Sequence, residues 1–442
     1  MPNEQENPVA VLGVPIDNVN VEQVLARFNH WIDQGGFHQV ATANTDFLIH
    51  AQTDGELEEI LRRCDLVMAD GMPLVWTSKL LGTPLKGRVT GVDLVPHIAA
   101  LSAERGYKIF MLGASERSLN GAASKLEADF PGVRIVDRFS PSYAPLDEMD
   151  HEAILARIEA AAPHFLLVAF GNPKQEKWLS MHRHRLRVPV CIGIGGSFDF
   201  LAGTVSRAPV WMQRNGLEWL YRTIQEPRRL ARRYAANAAG LARHLPVQMA
   251  AHTLQGRQRV LPRLTSELAG ESQILRVTGD FTGPVMQRFE EEAVMALLHG
   301  THIVLDLSRS SFIGPDAMGL LIRMVSKAKL FRRELWLTGL RPLMQRTVRA
   351  ARLGPSLQIA SGVAEALRRI EPANVGLAIE TGRDWAVARF GARLVSFPAE
   401  DTYTARGTRG VLQGHGTFRH FVQGTSAMSQ QQIPAVSNSL PG

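Results

Sequence analysis

Side chains able to do acid–base chemistry stand at the ends of short apolar runs in the first half of the chain. Thr42 and Asn44 close the run HQVATAN, and Asp70 ends the run LVMAD. A carboxylate in such a position can act as a general base towards a hydroxyl group. Asn44 or Asp70 taken alone is more often a helix cap or a turn residue, so only the whole set is informative.

Glycine-rich turns form the second part of this set. Gly113 ends an apolar run and leads into a helical pattern, whose first backbone N–H groups could hold a phosphate. Gln175 lies in GNPKQEKW, and Asp199 follows the pair Gly195–Gly196. The run GIGGSF around that pair does not fit GxGxxG, which disfavours a nicotinamide oxidoreductase.

Metal ligands with suitable spacing are missing from the pattern of the first domain. No Asp-x-Asp pair occurs there. His182 and His184 stand beside several arginines, and a solvated surface explains them better than a metal site. We therefore expect chemistry without a metal or other cofactor.

The elements that must position these residues follow from the alternation of apolar runs and helical patterns over residues 9–245. Such alternation predicts a doubly wound, mostly parallel α/β sheet. Ligands of these sheets bind at the carboxyl ends of the strands, where the polar residues stand. The predicted strands are 9–16, 38–44, 66–70, 107–113, 133–137, 164–170 and 188–195.

A basic helical appendage is predicted over residues 217–245. Glu226–Pro227 suits a helix start. The arginines that follow fit either an ordinary solvated face or a surface that binds phosphates or anionic lipid. Nucleic acid is disfavoured because aromatic residues do not alternate with the basic ones. The arginines on one face of this helix are Arg228, Arg229, Arg232 and Arg233.

The rest of the chain divides into three parts. Residues 246–269 are expected to form a linker, and residues 270–370 a smaller α/β domain with strands at 274–281, 302–308, 334–340 and 357–360. Residues 371–442 form a C-terminal extension. Its last part is polar and is expected to be disordered.

Composition excludes wholesale disorder, a fibrous repeat and a disulfide-stapled mini-protein, because 45% of the 442 residues are hydrophobic and only two are Cys. Two distant cysteines and a polar start favour a reducing cytoplasm. The longest apolar stretches, such as FLLVAF, are too short to span a bilayer. A net charge of +7 leaves nucleic acid, a phosphorylated substrate or an anionic membrane as partners.

Several consecutive motifs over residues 9–245 resemble the WecG/TagA/CpsF glycosyltransferases. The resemblance implies inverting transfer of N-acetylmannosamine, its uronic acid or glucose from a UDP donor to a polyprenyl-diphosphate-linked sugar, without a required metal. The basic helix over 228–233, together with the lack of a spanning segment, predicts peripheral attachment to the inner face of the plasma membrane. The matching stretches are DLVMADGMPLVW, RVTGVDL, GNPKQEKW, GGSFDFLAGTVSRAP and GLEWLYRTIQEPRRLARRY.

The same resemblance implies roles for individual residues. Asp70 matches the general base, and Thr42 and Asn44 line its pocket. Arg88 is suited to the diphosphate leaving group, whose charge grows in the transition state. The implied donor-binding residues are Gly113, Gln175, Gly195, Gly196 and Asp199. Arg222 and the four helix arginines are implied to complete the side of the active site that faces the acceptor and the membrane.

Residues 270–370 resemble a STAS domain, the anti-sigma-factor-antagonist fold. The matching stretches are ILRVTGDFTG, HIVLDLSRSSFIGPDAMGLL and LWLTGLRPLMQRTVRAARL. Members of this family carry a phosphorylated Ser at a helix start, where this chain has Asp316. Asp316 is either a plain first-turn carboxylate or a permanent mimic of the phosphorylated state. The module is expected to bind a protein partner or a second copy, and to be dispensable for sugar transfer.

One alternative of another class remains open from sequence. In a regulatory scaffold, the STAS-like module would bind partners and the first domain would only sense a nucleotide-sugar. The set of Asp70, Arg88, Gln175 and Asp199 favours the enzyme, since a pure sensor has no need of a base.

Overall fold

The computed structural model describes residues 7–214, 216–255, 261–354 and 357–370, with five short strands between 378 and 412. Those strands are Ala378–Glu380, Trp385–Phe390, Arg393–Pro398, Thr404–Gly407 and Gly410–Leu412. The predicted disorder at the end of the extension falls outside the described residues.

The first domain is built on a six-stranded parallel sheet. The predicted doubly wound α/β fold is confirmed, and the strand order is β4-β3-β8-β7-β5-β6. Helices cover both faces, which explains why the central strands are buried along their whole length. The strands of this domain are β1 Val9–Val11, β2 Val14–Ile16, β3 His38–Ala43, β4 Leu66–Ala69, β5 Lys108–Gly113, β6 Arg134–Phe139, β7 Phe165–Ala169 and β8 Val190–Gly193.

Twelve α-helices are described in this domain. Side-chain caps fix several of their starts, as where Asn20 and Gln23 form a capping box at the first helix. The helices are α1 Val21–Gln34, α2 Thr45–His50, α3 Gly55–Arg63, α4 Met72–Leu80, α5 Gly91–Arg105, α6 Glu116–Asp129, α7 His151–Ala161, α8 Lys174–Met181, α9 Ser197–Leu201, α10 Val210–Arg214, α11 Glu218–Gln225 and α12 Pro227–Thr253.

The predicted strand over 9–16 is wrong, because this segment forms a hairpin outside the six-stranded sheet. β1 and β2 pair antiparallel, and Leu12 and Gly13 turn the chain with φ of 49° and 89°. Both strands are buried because the hairpin lies between the two domains. Ala10 packs into the core of the second domain, while Val9 and Val11 pack into the first. An unbroken apolar run fits either placement, so periodicity could not distinguish them.

The second domain has five strands in the order β13-β12-β11-β10-β9, parallel except for β9. The predicted linker 246–269 is wrong at both ends, since α12 continues to Thr253 and a strand begins at Arg263. That strand is an edge strand with mostly polar residues, which gives a weak sequence signal. The elements are β9 Arg263–Ala269, β10 Ser272–Thr278, α13 Pro284–Leu298, β11 His302–Arg309, α14 Pro315–Leu330, β12 Leu335–Thr338, α15 Pro342–Ala350, β13 Gln358–Ala360 and α16 Val363–Ile370.

The two domains are joined by close packing of α14 on the β1–β2 hairpin. A Cβ added to Gly319 of α14 would overlap the carbonyl oxygen of Pro8, so the backbones touch there. Buried hydrogen bonds tie α12 to the hairpin, and tie the residue that follows its C-terminal end to the loop before α14. The Gln248 side chain bonds Leu12 N and Ala10 O, and the Gln255 side chain bonds Ile313 N and Ile313 O.

Gly319→Ala is expected to lower the melting temperature measurably. The added methyl group forces the helix off the hairpin, and overpacking of this kind costs about 1–3 kcal/mol. Gly55→Ala is the matched control, because an added Cβ there meets no atom within 4 Å. Differential scanning calorimetry of both variants measures the effect, and equal melting temperatures would contradict the close approach.

Candidate active site

Asp70 and the pair Thr42 and Asn44 end neighbouring strands, as the sequence predicts. The Asp70 backbone N–H donates to the carbonyl oxygen of Ala43 at 2.7 Å, which holds the end of β4 against the end of β3. Thr42 Oγ1 donates to Gly193 O at 2.8 Å and so joins β3 to β8. The carboxyl ends of three adjacent strands therefore meet around Asp70.

The Asp70 carboxyl has an environment suited to proton transfer. Burial raises its pKa to about 7, the negative charge of Glu218 adds to the rise, and Arg88 opposes it. The charges of Asp93 and Arg222 have smaller effects on this pKa, in opposite directions. A carboxyl group with a pKa near the working pH is both a competent base and a ready proton donor after reaction.

A network of ion pairs surrounds this carboxyl. Arg88 Nη1 lies 2.9 Å from Glu218 Oε2, and Arg207 Nε lies 3.5 Å from Glu218 Oε1. Arg207 Nη2 also lies 2.7 Å from Asp93 Oδ1. Glu218 belongs to α11, so the start of the appendage is held over the end of the sheet. Sequence reasoning missed Glu218, and its presence in the matched motif GLEWLYRT was the only available signal.

Gln175 holds two glycine turns together. Its Oε1 accepts hydrogen bonds from Gly171 N at 3.2 Å and Gly195 N at 3.1 Å, and its Nε2 donates to Glu176 Oε1 at 2.7 Å. Burial raises the pKa of Glu176 to about 8. The Gln175 amide oxygen thus joins the loop after β7 to the loop after β8, and its amide nitrogen is held by the Glu176 side chain.

Other predicted residues have a visible structural role. Asn44 Oδ1 caps α2 by accepting from Asp46 N at 2.9 Å. Gly113 has φ of 95°, and a Cβ there would stand 2.8 Å from Ala169 O, so β7 already requires a glycine. β5 is four strands from β4. At about 4.8 Å per strand, Gly113 lies roughly 19 Å from Asp70.

Asp199 and Gly196 lie together at the start of α9. A Cβ on Gly196 would be 3.4 Å from Asp199 Oδ2, and the Asp199 carbonyl oxygen accepts hydrogen bonds from Thr204 N and Val205 N. The Asp199 residue is partly exposed beside the glycine pair. Gly195, with φ of 54°, has no atom within 4 Å of an added Cβ and leaves open space for a ligand.

The arginines of the appendage do not act as one group. Arg222 Cζ lies 5.3 Å from the centre of the Phe200 ring, on the active-site side. Arg228 and Arg232 are exposed on α12, as a solvated or membrane-facing surface requires. Arg233 is partly buried, with Cζ 5.3 Å from the Tyr234 ring centre. The side chain of Arg229 lies outside the described residues.

A groove separates the start of α12 from α2. Arg232 and Arg233 line one wall, and Asp46 and His50 line the other. Asp46 comes two residues after Asn44, so this groove opens beside the ends of β3 and α2. The basic helix therefore faces α2, next to the end of β3.

Comparison with known protein families identifies the first domain. Residues 9–255 match the model of the glycosyl transferase WecG/TagA/CpsF family, which covers more than half of the chain. The chain belongs to the WecG/TagA/CpsF family. In this transferase the matched segment includes the whole of α12. It therefore extends past residue 245, the domain boundary predicted from sequence.

Relatives of this transferase share its first domain. A protein of Bacillus subtilis (strain 168) is 32% identical over 220 residues, which are 50% of this chain and 84% of the relative. One of Staphylococcus aureus (strain MW2) is 27% identical over 226 residues, 51% of this chain and 87% of the relative. Both are named N-acetylglucosaminyldiphosphoundecaprenol N-acetyl-beta-D-mannosaminyltransferase.

The second domain of the transferase is a STAS domain. Residues 264–359 match the family model described as Mlab, STAS domain. The phosphorylated form of SpoIIAA, a Bacillus cell fate determinant, matches at 20% identity and a TM-score of 0.22 over 24% of this chain and 99% of that one. The family match and the five-stranded α/β architecture agree on the fold.

Asp316 of the transferase stands in the first turn of α14, where the sequence placed it. Its Oδ1 accepts a hydrogen bond from Ala317 N at 2.9 Å. It also lines a cleft between the domains, together with Thr83 and His252 of the first domain. The loop that was expected to meet an outside partner thus faces the transferase domain of its own chain.

Proposed function

We propose that this transferase moves a hexose unit from a UDP donor to a polyprenyl-diphosphate-linked sugar, with inversion at the anomeric carbon. The observation that carries the proposal is Asp70, a carboxyl group with a pKa of about 7 at the strand ends beside Arg88. The names of the relatives support N-acetylmannosamine as the sugar and GlcNAc-diphosphoundecaprenol as the acceptor. The uronic acid of that sugar and glucose are the other donors to test.

The proposed step is a single displacement. The acceptor hydroxyl oxygen attacks the anomeric carbon, and its proton passes to a carboxylate oxygen of Asp70. The bond between the anomeric carbon and the β-phosphate oxygen breaks, and its electron pair stays on the leaving UDP. Arg88 offers the positive charge that stabilises this diphosphate, and an ion pair with Glu218 keeps its guanidinium oriented.

Release of UDP tests the proposal directly. Purified protein is incubated with each UDP-sugar and a short polyprenyl-diphosphate-GlcNAc or -Glc acceptor, with and without EDTA. We expect acceptor-dependent UDP release with one donor, unchanged by EDTA. Tight binding of a UDP-sugar without any transfer would favour the regulatory scaffold instead.

We also propose that the appendage attaches the enzyme to the membrane surface. Exposed apolar side chains cluster where α4, α10 and α11 meet, because the turn at Gly216 packs directly against Met72 and Trp76. Exposed arginines follow on α12. Among the described residues, no helix combines the length and apolar character needed to cross a bilayer. The exposed apolar residues are Trp76, Leu80, Trp211, Trp219, Leu220 and Ile224.

Arg228→Glu with Arg232→Glu is expected to reduce binding to anionic vesicles at least about tenfold. Each basic residue near such a surface contributes about 1 kcal/mol, so reversing two of them removes a large share of the attraction. Flotation with vesicles that contain the anionic lipid phosphatidylglycerol, compared with neutral vesicles, measures the loss.

Arg105→Glu with Arg187→Glu is the matched control for this double substitution. These exposed arginines precede β5 and β8, at the sheet edge opposite the site. We expect the control to float like the parent, and binding should weaken as salt rises. Equal recovery of the two double variants would contradict the proposed membrane surface.

A further inference from the structure

Asp17, the residue after β2, is bonded to the strand that carries Asp70. Its backbone N–H donates to Val67 O at 2.8 Å, and its Oδ2 accepts from Val67 N at 2.6 Å. β4 is the edge strand of the six-stranded sheet, so no strand of that sheet pairs with Val67 on this side. Asp17 therefore takes the place of a further strand at the middle of β4.

The carboxylate of Asp17 is held from the STAS domain. Arg323 of α14 donates a hydrogen bond from Nη2 to Asp17 Oδ2. The two side chains are only 13% and 6% exposed. A second arginine, Arg27 of α1, is more distant, with Nη1 3.9 Å from Asp17 Oδ1. Arg323 is thus the close cation for a buried carboxylate, and a buried carboxylate without its cation is strongly unfavourable.

The same helix also holds the segment that leads into β4. Ser326 Oγ donates to Arg62 O at 3.1 Å, and Arg62 Nε donates to Gly13 O at 3.0 Å. Arg62 lies near the end of α3, just before β4 begins. The STAS domain therefore contacts both the entry to β4 and, through Asp17, its middle.

Asp70 follows the end of β4 directly. Val67 and Asp70 are three residues apart on an extended backbone, a distance of about 10 Å. Backbone hydrogen bonds hold the segment between them, since Ala69 O accepts from Val89 N and Asp70 N donates to Ala43 O. These bonds keep the short segment extended. A displacement of β4 at Val67 would therefore pass along the backbone and move the Asp70 carboxyl.

We propose that Arg323 is a positioning residue for sugar transfer, and that the docked STAS domain sets the place of Asp70 through Asp17 and β4. This inference rests on the proposed function for the role of Asp70. It replaces the expectation that the STAS module is separable from transfer. A change in how α14 docks against Asp17 would then alter the transfer rate.

Arg323→Gln in the full chain tests the proposal. We expect kcat to fall about 10- to 100-fold, as small misplacements of a reacting group do, while KM for the UDP-sugar changes less than about threefold. Hydrogen–deuterium exchange of the peptide containing Val67 should accelerate in the same variant. Lys329→Gln is the matched control, because Lys329 lies on the same helix and forms an exposed pair with Glu59 across the same interface, at 3.3 Å.

Two further variants separate positioning from simple loss of folding. Arg323→Lys keeps the cation and should recover most of kcat. Asp17→Asn combined with Arg323→Gln keeps an acceptor for Val67 N without a buried charge, and should be folded and faster than Arg323→Gln alone. If Arg323→Gln and Lys329→Gln have the same kcat and the same exchange rate at Val67, the proposal is overturned. If the parent shows no transfer at all, the proposed function fails, and exchange at Val67 alone still decides the coupling.

Discussion

Asp70→Asn is expected to lower kcat about 10²- to 10⁴-fold, the usual cost of losing a general base. The amide keeps the size of the side chain, so UDP should bind within a few-fold of the parent. Steady-state kinetics and UDP titration measure the two effects. Asp33→Asn, the same change near the end of α1, should leave both unchanged. Unaltered turnover of Asp70→Asn would remove this residue from the mechanism.

The pH dependence offers a second measure of the same residue. Asp70 must be ionised to accept a proton, so kcat/KM should rise with pH and level off above about 7, following its pKa. In the unfolded chain an Asp has a pKa of about 3.9. The free energy of unfolding therefore falls as pH rises between these two pKa values, and the loss is complete above about pH 7. Asp70→Asn should accordingly gain melting temperature over the parent at about pH 8 and show almost no gain at about pH 4.

Arg88→Gln is expected to lower kcat about 10²- to 10³-fold, the range found when one preorganised donor to a developing negative charge is removed. The guanidinium is the cation with the largest influence on Asp70 in the ion-pair network, and Gln cannot neutralise a diphosphate. The loss should appear mainly in kcat, because the charge on the leaving group grows in the transition state. Stopped assays with saturating donor measure it.

Glu218→Gln is the comparison variant for Arg88. It breaks the same ion pair of 2.9 Å from the other side but leaves the arginine in place. We expect a smaller loss of kcat, less than about tenfold. The rise of kcat/KM should also move to lower pH, because Glu218 helps to raise the pKa of Asp70. Equal losses in both variants would mean that Arg88 only anchors α11.

Local patterns in the chain were sufficient to predict that several candidate site residues share one end of the sheet. Strands alternating with helices predict a parallel sheet, and in such a sheet the residues after the strands share one edge. Thr42, Asn44 and Asp70 could therefore be grouped from the positions of the apolar runs alone. The helix start at Glu226–Pro227 was equally local, since a proline in the first turn marks it, and α12 does begin at Pro227. Patterns of this kind depend on neighbours in sequence and are readable there.

Which groups act on one another was decided by tertiary packing. The apolar run at 9–16 could have been a sheet strand, and its burial between two domains makes it a hairpin. Gln175 joins two glycine turns, and Glu218 pairs with Arg88, from elements far apart in the chain. Arg323 and Asp17 are 306 residues apart and carry no joint pattern. Such pairs depend on which elements pack together in three dimensions. A charged group that packing buries needs its partner at that place, and no local periodicity records where the partner comes from.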